Sequence, residues 1–135
     1  MADSVEEVLY DYVTSDTAFM AIVTGVYNME APADTSEPYV VMWLVSDPGT
    51  DTVLNAEEQG EARMQFDLWD TGDRNGLIRG TRIRGNLRKL LKKLSKVVSG
   101  YHVMVTGTTE QTIPRQSGTD PYHFVVDGVC RWRKE

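Results

Sequence analysis

The sequence predicts an α+β fold: a mainly antiparallel sheet of four to five strands, with an N-terminal helix and one long helix packed on one face. Three observations predict it. Apolar residues recur at helical spacing near the start of the chain and again past its middle. Apolar and polar residues alternate with period two over residues 62–69 and again near the end. The patterns share only 135 residues, a length that suits a single domain, 1–135, around one core.

The first element is a helix over residues 4–13. Ser4 and Glu7 match the capping box, in which each side chain satisfies a backbone donor at the helix start. Val5, Val8, Leu9, Tyr12 and Val13 then mark its buried stripe. A second helical turn over 16–23 offers Phe19, Met20, Ile22 and Val23, and Gly25 ends it. Val26-Tyr27 forms a very short strand. Pro32, Asp34, Ser36 and Pro38 mark a loop, and β-branched and aromatic residues make 39–46 a strand with Pro38 at its start.

Residues 47–60 combine Pro48, two glycines and the acids Asp47, Asp51, Glu57 and Glu58, with Glu61 flanking them. They read as a long loop or hairpin tip, and loops longer than about 12 residues are usually functional or disordered. Ala62, Met64, Phe66 and Leu68 alternate with Arg63, Gln65, Asp67 and Trp69, the mark of a half-buried strand that pairs with 39–46. After the turn cluster 70–76, a long helix runs over about 75–98. Ile83, Leu87, Leu90, Leu91, Leu94 and Val98 form its apolar stripe, and Arg84, Arg88, Lys89, Lys92, Lys93 and Lys96 fill its other faces. Gly80 and Gly85 each cost about 1 kcal/mol relative to alanine, which moves its regular part later. Gly100 closes the helix, 101–106 is a strand, and 107–121 is a polar loop with Gly107, Pro114, Gly118 and Pro121. The last strand, 122–132, sets Tyr122, Phe124, Val126, Cys130 and Trp132 on one face.

Hydrophobic residues make up 41% and charged residues 25%, an ordinary globular balance. The longest apolar runs fall far short of the ~20 residues a membrane helix requires, so no membrane partner is expected. The acidic opening lacks the pattern of a secretory signal, which predicts a chain that stays in a cytoplasm. One cysteine, Cys130, allows no internal disulfide. The net charge of −6 hides a division: residues 1–70 hold 15 acids against Arg63 alone (−14), and residues 71–135 hold 5 acids against 13 Lys and Arg (+8). If the halves present separate surfaces, copies attract one another acidic patch to basic patch; if the halves interleave, the charges mix over one surface.

Enzymatic and metal signatures are weak. Gly80-Thr-Arg-Ile-Arg-Gly85 has the glycine spacing of a phosphate-binding loop, but Asn86-Leu87 stands where lysine and a hydroxyl residue belong. A close helix contact explains the glycines better. Asp70 and Asp73 open like a calcium loop, yet Gly72 and Thr81 occupy ligand positions, so a helix-capping turn is the better reading. His102, His123 and Cys130 are the other candidates for metal or nucleophile chemistry, and no nucleophile-elbow pattern accompanies them. Strand-packed histidines and a buried apolar cysteine are the simpler assignment. No catalytic residue, metal or cofactor is predicted. The basic stretch 74–96 carries nine Lys and Arg and no acid, a face that could meet DNA phosphates. It lacks the interleaved aromatics of single-strand binders, which favours contact with another protein surface.

The stretch Asp16-Thr-Ala-Phe-Met-Ala-Ile-Val-Thr-Gly-Val-Tyr27, then Glu37-Pro-Tyr-Val-Val-Met42, Gln65-Phe-Asp-Leu-Trp-Asp70 and a helix with Leu87-Arg-Lys-Leu-Leu91 together resemble the phage tail-completion family, similar in fold and role to the lambda-type tail terminator. The resemblance spans residues from about 5 to 132 and departs at Thr24-Gly25-Val26, where the family often has a second glycine and an arginine, and in the strongly basic long helix. It implies a virion protein of a long-tailed bacteriophage, assembled in the host cytoplasm. It further implies a ring, typically a hexamer, at the head-proximal end of the tail. Such a ring ends tail polymerisation and docks the head, so its partners are copies of itself, the tail tube protein, the head–tail connector and genomic DNA passing through the lumen without sequence reading. Placed on this sequence, the interface between copies or with the tube is expected at Asp47, Asp51, Glu57, Glu58, Arg79, Arg82, Arg84, Arg88, Lys89, Lys92 and Arg115.

Overall fold

The computed structural model describes residues 4–45 and 58–135. Its elements run α1 (Val5–Thr14), α2 (Thr17–Met20), β1 (Gly25–Asn28), β2 (Tyr39–Val45), β3 (Gln59–Asp70), α3 (Arg74–Lys92), β4 (Ser95–Val98), β5 (Tyr101–Ile113) and β6 (Tyr122–Lys134). The α+β class holds, and the sheet has six strands in the order β1-β2-β3-β6-β5-β4 rather than four to five. All neighbours pair antiparallel except β1, which lies parallel to β2 with Val26 opposite Val40.

Capping residues set the helix starts. The Ser4 hydroxyl accepts from the Glu7 N–H at 3.3 Å, and the Asp16 carboxylate accepts from the Phe19 N–H at 2.8 Å. Val5, Val8, Leu9 and Val13 of α1 and Ile83, Leu87 and Leu91 of α3 sink into one core with Val40, Met42, Met64, Phe66, Leu68, Phe124 and Val126 of the sheet. Burying each such side chain contributes roughly 1.5–3 kcal/mol. Alpha1 packs toward β1 and β2, and α3 lies over β3, β6 and β5. The Tyr12 hydroxyl donates to the Leu90 carbonyl at 2.8 Å and ties the two helices together. Among the described residues the opposite face of the sheet carries no helix, and it presents Trp43, Gln65, Asp67, Trp69 and His123.

Several expectations change. The second helical turn is short, Thr17–Met20, and Gly25 opens β1 and does not end a helix. The long helix stops at Lys92, not Val98: the N–H of Lys93 turns back to Leu90, and Ser95–Val98 becomes an edge strand. Leu94 stays buried as the chain leaves the helix, so the apolar pattern continued while the backbone changed. Gly100 does not close the helix. Ser99 and Gly100 both have positive φ (52° and 82°), the pair of angles a two-residue hairpin requires, and they turn β4 into β5. Residues 107–113 are strand, not loop. Beyond an irregularity between Val105 and Gly107, β5 continues alongside β6 to Ile113. The helix is regular from Arg74 onward and includes both glycines, and Gly80 lies against the sheet: a Cβ there would stand 2.2 Å from the Phe124 ring.

Candidate functional site

The seat of α3 fixes where its charges point. Asp73 caps the helix by accepting from the Gly76 N–H at 2.8 Å and from the Thr71 hydroxyl at 2.8 Å. The Gly76 N–H, first among its causes, holds the Asp73 carboxyl below its usual range. Glycine is required at position 76, since a Cβ would meet the Thr71 carbonyl at 1.8 Å. Asp70 is fully buried and receives both arms of the Arg79 guanidinium, one of them from Nε at 2.9 Å, as well as the Thr71 N–H at 2.7 Å. The hydrogen bond to Asp70 pushes the Arg79 pKa up. Asp70 and Asp73 therefore anchor a helix start, and the pair serves structure where the motif hinted at calcium.

The cations expected at an interface divide into two groups. Arg79 is committed to Asp70. Arg84 reaches the Thr112 hydroxyl at 2.5 Å and Glu110 at 3.9 Å, with its guanidinium 5.7 Å from the centre of the Phe124 ring. Arg88 meets the Thr108 hydroxyl at 3.1 Å and Glu110 at 3.9 Å. Arg115 binds the carbonyls of Gly72, Gly118 and Asp120 at 2.9–3.1 Å and lies 3.8 Å from the centre of the Tyr122 ring, so it holds the β5–β6 turn against the start of α3. Arg82, Lys89 and Lys92 are exposed and have no ion-pair partner among the described residues. Of the expected acids, Glu58 is exposed and its carbonyl accepts from the Lys134 N–H at 2.7 Å. Asp47, Asp51 and Glu57 lie outside the described residues.

Spacing of 78, 82, 85, 89, 92 and 93 along α3 and just past it puts Ile78, Arg82, Gly85, Lys89, Lys92 and Lys93 on the helix side opposite Ile83, Leu87 and Leu91. Leu77 and Ile78 add apolar surface, 38% and 50% exposed, near the helix start. At the far end of the sheet, Glu7, Tyr10, Asp11, Tyr27, Asn28 and Glu30 line a groove of about 360 Å³ between α1 and β1. Sequence reading missed this groove, since α1 and β1 are separated by α2 and only the fold aligns them.

The histidines do not converge. His102 stands opposite Arg133 and His123 opposite Ile113, ten residues apart along β6 or roughly 33 Å at about 3.3 Å per residue. His102 Nε2 meets the Ser95 hydroxyl at 2.7 Å. His123 Nε2 meets Asp67 at 2.7 Å and its ring stacks on Trp69 with centres 3.9 Å apart. Burial pushes the Asp67 carboxyl up, but hydrogen bonds from His123, Trp43 and Gln65 outweigh it and leave its pKa lowered. Cys130 is buried, and that burial pushes its thiol up to about 12, so it stays an apolar filler.

No family model matches the sequence, and comparison with curated proteins returns no match. Solved structures do match. One is gp17 of bacteriophage SPP1, with a TM-score of 0.61 and 16% identity over 96% of this chain and 88% of that one. Another is a chain in the virion of a native gene transfer agent particle, with a TM-score of 0.62 and 15% identity over 98% of this chain and 95% of that one. At such identities the likeness shows the fold, and this chain has the fold of those two chains across nearly its whole length.

Proposed function

We propose that this chain is a structural subunit of a long-tailed phage virion that assembles into a ring at the head-proximal end of the tail tube, ends tube growth and offers the surface on which the head docks. The observation that carries the reading is a separation of charge on a fold shared with a phage protein and a virion chain. Residues 4–45 hold Glu6, Glu7, Asp11, Asp16, Glu30, Asp34 and Glu37 with no lysine or arginine, and α3 holds seven cations with no acid. Opposed surfaces on one body attract successive copies head to tail, and such contacts close into a ring when the rotation per copy divides a full turn. The sixfold number, the tail tube protein and the head–tail connector as partners, and DNA passing through the lumen come from the family resemblance. Electron-microscope class averages and native mass spectrometry of the purified protein test the reading. Closed rings of one size are expected, and a chain that stays single even with purified tail tubes overturns it.

A second reading has its own observation. The outward stripe of Arg82, Lys89, Lys92 and Lys93 would suit the phosphates of duplex DNA. Retardation of duplex DNA at low salt that vanishes when these residues are neutralised would favour it.

A further inference from the structure

We infer that the outward stripe of α3 is one half of the contact between copies, and that its other half is the tyrosine-lined acidic groove between α1 and β1 of the adjoining copy. The inference rests on the ring reading above and names its contacting surfaces. Three features of α3 point to a partner. Five cations on or just past it, Arg74, Arg82, Lys89, Lys92 and Lys93, are exposed and without an ion pair among the described residues, unlike Arg79, Arg84 and Arg88 beside them. Ile78 lies in line with them and Leu77 adjoins it, so the stripe pairs cations with exposed apolar surface. Gly85, in the middle of the stripe, has open space where a Cβ would be, which lets another backbone come close.

The occupant follows from charge. The groove sets the carboxylates of Glu7, Asp11 and Glu30 around the rings of Tyr10 and Tyr27. Carboxylates attract Lys and Arg, and tyrosine faces attract the same cations when they are drawn out of water. The acidic end of this chain thus offers the chemistry the stripe lacks. The two surfaces also sit at different places on the body: the groove at the β1 edge of the sheet, the stripe on the back of the helix over β3, β6 and β5. One copy cannot close them on itself, whereas a series of copies can join stripe to groove in one direction.

A charge-swap experiment tests this. One variant carries Arg82→Glu and Lys89→Glu; the other carries Asp11→Lys and Glu30→Lys. All four positions are exposed, and circular dichroism with thermal melting confirms that each variant is folded. Alone, each variant is expected to weaken assembly by about tenfold or more, because like charges then face each other across the contact. Mixed in equal amounts they should assemble again, since a reversed stripe meets a reversed groove and a native groove meets a native stripe alternately. Native mass spectrometry reads the composition directly. Folded variants that assemble alone as the native chain does, or a mixture that stays dissociated, would overturn the inference while native rings leave the ring reading intact. A native chain that never assembles overturns both. Loss of duplex DNA binding in the stripe variant with its assembly unchanged overturns the inference in favour of DNA as the occupant.

Discussion

The two kinds of cation on α3 differ in position by a fraction of a helical turn and differ wholly in what they do. Arg84 and Arg88 project sideways over β5, where Thr108, Glu110 and Thr112 meet them. Lys89 immediately follows Arg88 in the chain, yet about 100° of helical rotation carries it away from the sheet. The first kind fastens the helix to an extended strand; the second leaves charge on the surface for something outside the chain. A basic helix is thus partly internal scaffolding, and a count of its lysines and arginines overstates the surface offered to a partner.

Substitutions along α3 can break or sharpen that contrast. The largest loss of stability is expected from the core side: Leu87→Ala, at a fully buried position, should cost about 2–5 kcal/mol in urea denaturation. Asp70→Ala should cost less, about 1–3 kcal/mol, since it orphans the Thr71 N–H while the half-exposed Arg79 regains water. Arg79→Ala should lower the melting temperature further than Asp70→Ala, because it leaves the fully buried Asp70 carboxylate without its counter-charge; the reverse order would mean that the Asp70–Thr71 contact, not the ion pair, holds the helix start. Arg88→Ala should cost about 0.2–1 kcal/mol and lose its effect as salt rises, as expected of a partly exposed ion pair. Smallest of all, Lys89→Ala should change the stability of the single chain by no more than about 0.5 kcal/mol, measured at a concentration where copies do not associate. If Lys89→Ala and Arg88→Ala destabilise the folded chain equally, the division between internal and outward cations fails.

Much of the fold was legible in residue order. The Ser4 cap, the alternation through Phe66 and Leu68, and the stripe of Ile83, Leu87 and Leu91 each report a local period or a local hydrogen bond, so they can be read without knowing the rest of the chain. The misreadings share one cause. Thr108, Thr109, Glu110, Gln111 and Thr112 look like loop because they are polar, and they are strand because β6 supplies a ladder on one side and the arginines of α3 meet Thr108, Glu110 and Thr112. Leu94 and Val98 kept the helix period past the true end of the helix, where the two-residue turn at Ser99-Gly100 demanded a strand instead.

The sequence by itself determined the fold class, the sites of the helix starts and the separation of acidic from basic residues, because caps, periodicity and formal charge are properties of neighbours in the chain. Only the tertiary structure decided which cations are free to act. That choice depends on β5 reaching far enough to meet Arg84 and Arg88, on Asp70 being buried beneath Arg79, and on α1 coming alongside β1 to form a groove. Each is a contact between residues distant in the chain, and its energy exists only once the sheet has brought them together.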